Sequence, residues 1–153
     1  MTKKLYTERR FMRALEKGWI SLEGVINRFA KSDFNPIHHL GTLTIFMLVV
    51  LIATGVYLTL LYRPGAEVAY DTVAKISSTW YGSLIRSVHR YASDAMIILI
   101  VLHLCRMFTG DRFWGPRWLA WTSGWIMLAM VWLTGTFGYW MMWDERAQWM
   151  TEF

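Results

Sequence analysis

Three apolar stretches follow one another along this chain, and they differ in how polar residues interrupt them. Leu40 to Tyr62 carries no charged residue, and neither does Trp118 to Trp143. As helices, both runs are long enough to cross a hydrocarbon core of about 30 Å. Between them, Leu84 to Thr109 is apolar but interrupted by His89, Arg90, Asp94, His103 and Arg106. Ionisable groups inside a span are costly and usually turn toward protein, so Arg90 and Asp94 are expected to face protein rather than lipid. Spans are predicted over residues 37–62, 84–109 and 118–142, the first opened by Asn35-Pro36 and closed by Arg63-Pro64. Ahead of them, Phe11, Leu15, Trp19, Leu22, Val25, Ile26 and Phe29 recur at steps of three and four, marking one face of an amphipathic helix. The pattern predicts an all-α membrane protein: a surface segment over 1–36, then a transmembrane domain over 37–153.

Composition supports that class. Of 153 residues, 55% are hydrophobic and 16% aromatic, and a mean hydropathy of +0.27 is too apolar for a soluble domain of this size. The net charge of +5 does not point to nucleic acid. Much of it comes from Lys3, Lys4, Arg9, Arg10, Arg13, Lys17, Arg28 and Lys31, around the amphipathic helix. Such a segment lies along an anionic leaflet or packs on a partner subunit. Arg106, Arg112 and Arg117 make the second interspan loop basic as well, whereas the first loop and the C-terminal tail are near neutral. The positive-inside rule then puts the N-terminus and second loop on the cytoplasmic, negative side of a bacterial inner membrane or its equivalent. No apolar run near Met1 suggests a secretory signal. The single cysteine, Cys105, allows no internal disulfide and no thioether attachment motif for a c-type haem, and reads as a packing residue.

The candidate chemistry lies in Arg86–Arg106, RSVHRYASDAMIILIVLHLCR. His89 and His103 are fourteen positions apart, which in a helix is about four turns, on nearly one face and roughly 21 Å along the axis. Imidazole is a common axial ligand to haem iron. Arg86 lies three residues before His89 and Arg106 three after His103, so each is placed one turn outward, where a guanidinium can pair with haem propionates. A lone histidine in an apolar helix is more often a hydrogen-bonded interior residue. Two in register with mirrored arginines favour two haems, one toward each membrane surface. The glycine pairs Gly41/Gly55 and Gly124/Gly138 repeat the same fourteen-residue spacing in the flanking spans. Helix packing alone would use such glycines, but a flat haem also needs a backbone without Cβ, and the matched spacing favours that use.

At these residues the chain resembles the N-terminal half of cytochrome b of quinol:cytochrome oxidoreductases, most of all the split cytochrome b of bf-type complexes. The similarity runs from Gly41 to Trp149 and rests on YRP at Tyr62–Pro64, YGSLIRSVHR ending at Arg90, LHLCR ending at Arg106, and GY followed by WD within Gly138–Asp144. It implies part of a four-helix haem-binding bundle. His89 would ligate the positive-side haem and His103 the negative-side haem, with Arg86 and Arg106 as propionate partners. The second axial histidine of each b-type haem would come from a fourth helix outside this chain. The resemblance further implies a haem-bearing, not independently catalytic, subunit that carries electrons between quinol-oxidation and quinone-reduction sites. Implied partners are a C-terminal cytochrome b portion or separate subunit, an iron–sulfur protein, a cytochrome subunit, quinone and membrane lipid, in a dimeric complex. Two features depart from the family pattern. GYWMMWDE has Met142 and Glu145 where the family usually has proline and glutamine, in the segment lining the quinol-oxidation pocket. His39 stands where bf-type proteins have a cysteine that tethers an extra haem. The altered segment leaves open a dihaem quinone-linked anchor of another dehydrogenase or reductase, or a haem-less structural subunit of the same ancestry.

Overall fold

The computed structural model describes residues 10–29, 35–110 and 112–151. The basic residues Lys3, Lys4, Arg9 and Lys31 lie outside them. The described residues form α1 (Arg10–Phe29), α2 (Leu40–Leu61), α3 (Ala69–Ser78), α4 (Trp80–Thr109), a 3-10 turn (Gly115–Arg117), α5 (Trp118–Trp140) and α6 (Glu145–Thr151), with no strand among them. Two of these helices, α2 and α4, are long and apolar enough to cross a membrane by length and composition. The uncharged α5 is long enough as well, but Trp118, Trp121, Trp125, Trp132 and Trp140 lower its average hydropathy.

The contacts divide the chain into two compact units. One takes Met1–Thr44 with Ile98–Leu128, and the other Ile45–Ile97 with Ala129–Phe153. In the first, Met12, Ile37, Leu40, Ile100 and Leu104 are buried. The lead into α2 is built by Asn35, whose Oδ1 accepts from Ile37 N (3.0 Å) and whose carbonyl accepts from His38 N (3.0 Å). That local turn is what asparagine before proline favours. The face of α1 turned to this unit carries Met12, Glu16 and Glu23, while Phe11, Leu15, Leu22, Val25 and Phe29 stay exposed. The amphipathic stripe read from the sequence is thus the outward one.

In the second unit, Ala69, Ile76, Ala92, Met96 and Ala147 are buried. The interspan loop contains a helix, α3, that hydropathy alone did not reveal. Thr79 breaks it in extended backbone and bonds Ile76 O through Oγ1 (2.9 Å). A Cβ on Gly82 would collide with that same carbonyl, so only glycine lets the first turn of α4 close against α3. After α5, Trp143 takes a left-handed conformation (φ 49°) and Asp144 Oδ1 accepts from Ala147 N (2.9 Å), capping α6. Ile45, Phe46, Val49, Ile52, Val56 and Leu60 of α2, and Trp125, Ile126, Met130, Trp132 and Phe137 of α5, are exposed. Such faces suit lipid or further helices, not water.

Within this chain Arg90 and Asp94 are exposed. The buried stripe of that helix in this unit is Ala92 and Met96, with the charged pair around the helix from it.

Candidate functional site

Each unit holds one of the two histidines, and each histidine lies against a glycine of α2. In the second unit, a Cβ built on Gly55 would stand 3.2 Å from His89 Cε1 and 3.9 Å from Nδ1. His89 Nδ1 is 2.8 Å from Thr54 Oγ1. The threonine hydroxyl has one proton and sits 2.7 Å from Val50 O, to which it donates. It therefore accepts from the imidazole, which places the ring proton on Nδ1 and leaves the Nε2 lone pair available to a metal. An Nδ1–H held in this way is how proteins orient a ligating histidine. One turn earlier, Arg86 donates through Nη1 to Ser77 Oγ (2.8 Å) and through Nη2 to Met142 Sδ (2.9 Å). Neither acceptor is charged.

In the first unit, a Cβ on Gly41 would stand 3.2 Å from Cε1, 3.6 Å from Nδ1 and 3.7 Å from Nε2 of His103. The ring lies over the bare backbone. Thr44, one turn along α2, is buried and bonds Leu40 O (2.9 Å). Arg106 is engaged differently from Arg86: it forms an ion pair with Glu23 of α1 and donates to Ile37 O (3.0 Å). Glu23 Oε2 also meets His38 Nε2 at 3.2 Å. The fully buried Asn35 completes the cluster, its Nδ2 donating to Asn27 Oδ1 (2.8 Å) and Glu23 O (3.3 Å).

Of the predicted site residues, Gly41 joins His103 and Gly55 joins His89. Gly124 meets Leu104 instead, whose Cδ2 would lie 2.9 Å from an added Cβ, and Gly138 has open space around it. Sequence reasoning missed Thr54, Glu23, His38 and Asn35. A hydroxyl beside Gly55 and two carboxylates, Glu16 and Glu23, in a basic helix were the available signals. The second unit also contains an apolar cleft of about 380 Å³ lined by Tyr62, Gly65, Ala66, Ala69, Phe137, Trp140, Met141 and Trp143.

The sequence profile of the family described as cytochrome b/b6/petB matches residues 25–153. The chain belongs to the cytochrome b/b6 family. Among its relatives, cytochrome b6 of Prochlorococcus marinus (strain MIT 9303) is 32% identical over 128 residues, which are 83% of this chain and 59% of that protein. Cytochrome b6 of Euglena gracilis is 31% identical over 128 residues, 83% of this chain and 60% of its own. The chain thus spans about 59% of the length of the first of these relatives.

The residues present suit the b-type haem that the family name implies. No group of three or more His, Cys, Asp or Glu side chains among the described residues could hold a bare ion. A haem does not need one, since the porphyrin supplies its own equatorial nitrogens and takes only axial ligands from the protein. In this chain, two half-buried imidazoles lie over glycines where any Cβ would crowd the ring, and His89 has its Nε2 free.

Proposed function

We propose that this chain is the haem-bearing part of a quinol:acceptor oxidoreductase of the bf type and carries electrons across an energy-transducing membrane. The observation that carries the reading is the repeated pair of one histidine on one α2 glycine, Gly55 with His89 and Gly41 with His103. His89 and His103 would hold the iron of two b-type haems, His89 on the positive side and His103 on the negative side. When bound, each haem supplies a one-electron carrier within the hydrocarbon region. Thr54 orients His89 and holds its Nδ1 proton. Arg86, with only neutral acceptors around it, is ready to neutralise a propionate. Arg106 offers its remaining N–H groups to the second haem while Glu23 balances its charge. Gly41 and Gly55 let the imidazoles lie against bare backbone and Gly138 leaves open space for a plate, whereas Gly124 is taken up by Leu104.

A second histidine for each haem would come from outside these 153 residues. The chain has four histidines, and His38 and His39 both precede α2. The third span is α5, and α1 lies on the negative-side surface with its exposed apolar face toward lipid, so that residues 1–36 serve as the surface segment and 37–153 as the transmembrane domain. The cleft beneath Trp140 and Trp143 is where a quinol ring would enter on the positive side. The iron–sulfur protein, the cytochrome subunit, a C-terminal cytochrome b portion and quinone are the partners this role requires.

Reduced-minus-oxidised spectra of the purified complex test the reading. His89→Leu and His103→Leu should each abolish one b-type α-band and leave the other. If both variants keep both haems, the histidines are not ligands and the proposal fails.

A further inference from the structure

Met141, Met142 and Trp143 follow α5 in a tight corner. Their amides bond back to Phe137 O (3.0 Å), Tyr139 O (3.3 Å) and Trp140 O (3.1 Å). Trp143 is left-handed there (φ 49°), a conformation that a bulky residue keeps only where its surroundings hold it. Three elements hold the corner, one residue each. Tyr62, after α2, donates its hydroxyl to Met141 O (2.7 Å). Arg86 of α4 donates through Nη2 to Met142 Sδ (2.9 Å). Gln148 of α6 donates through Nε2 to Trp143 O (3.2 Å).

The corner is also a wall. Met141 and Trp143 line the apolar cleft, whereas Met142 between them does not. Its half-buried thioether meets Arg86 instead. A methionine side chain has three rotatable bonds and imposes no backbone angle, so it can fix the corner only by being held. Of the three donors Arg86 alone is a cation, and bonds from a charged donor are the stronger kind. The guanidinium is itself fixed, through Nη1 on Ser77 Oγ of α3 (2.8 Å). A guanidinium has five N–H groups, and these two bonds leave it donors for a propionate. Met142 therefore shares the anchor of the positive-side haem without competing for it.

We infer that Met142 is a positioning residue: through its thioether, Arg86 fixes the Met141–Trp143 wall of the cleft, so that the cleft and the haem site one turn away share one anchor. The inference rests on the proposed reading that the cleft takes a quinol ring. The test uses the whole complex in nanodiscs. Met142→Leu keeps the volume and removes the acceptor, and Met142→Gln supplies an oxygen acceptor at a similar reach. Amide hydrogen exchange at Met141, Met142 and Trp143 should become about tenfold faster in Met142→Leu, the effect of one lost bond from a charged donor, with α3 unchanged. Met142→Gln should exchange like the parent. Binding of duroquinone, followed by quenching of tryptophan emission, should weaken about fivefold in Met142→Leu and recover in Met142→Gln. A Met142→Leu protein that exchanges like the parent, or a Met142→Gln protein as mobile as Met142→Leu, overturns the inference. So does faster exchange with duroquinone binding unaltered. A parent complex that binds no duroquinone removes the quinol reading of the cleft, and the exchange rates then decide the Arg86 tie by themselves.

Discussion

Gly55→Leu is the sharpest probe of the glycine–histidine contact. The first carbon of the new side chain would stand 3.2 Å from His89 Cε1 and 3.9 Å from Nδ1, inside the 3.5–4.0 Å or so at which carbon atoms pack without repulsion. The branched remainder of leucine has to occupy the space of the ring, and α2 cannot retreat without its neighbours. Overpacking of this kind costs about 1–3 kcal/mol. Displacing the ring also stretches the 2.8 Å bond between Nδ1 and Thr54, which adds about 1 kcal/mol. The sum, about 2–4 kcal/mol, corresponds to roughly 30- to 1000-fold weaker retention of a haem held by His89. The assay is haem per chain by pyridine haemochrome, with a potentiometric titration of each α-band. Gly55→Leu should lose most of the positive-side haem and keep the negative-side one, and Gly55→Ala should retain both with a shifted midpoint. A Gly55→Leu protein with full haem and unchanged midpoints would refute the proposed cradle.

Three further outcomes are expected. Thr54→Val removes the acceptor of the His89 Nδ1 proton and should weaken haem retention at that site by about 10- to 100-fold, as loss of an orienting partner does, with a change in the low-spin EPR g-values of that haem alone. Glu23→Gln leaves the half-buried Arg106 without its carboxylate and should lower stability by about 2 kcal/mol in a detergent unfolding titration, whereas Glu67→Gln in the interspan loop should be neutral. Gly138 has open space around it, so Gly138→Leu should not disturb the helices of this chain; a selective loss of the positive-side haem in that variant would show that the haem occupies the space, and an unchanged spectrum would remove Gly138 from the site.

The long helices and the histidine register were legible in the sequence because both depend on local quantities. Uncharged runs such as Leu40–Leu61 have nowhere to put backbone polar groups except into a helix, and a rise of about 1.5 Å per residue turns a spacing of fourteen into a depth. Gly41 and Gly55 keep step with His103 and His89 along a neighbouring helix. The direction each helix face takes was not legible. In a membrane, the residues that touch lipid and those that touch protein are equally apolar, so periodicity cannot tell them apart. Tertiary packing alone turned the exposed stripe of α1 outward and its Glu16 and Glu23 inward, and left Arg90 and Asp94 exposed on α4. It also decided the partners of the two outward arginines. Arg86 and Arg106 mirror each other in sequence, yet one meets a hydroxyl and a thioether and the other a carboxylate. Those partners lie 9, 56 and 83 positions away along the chain, and only chain folding brings them together.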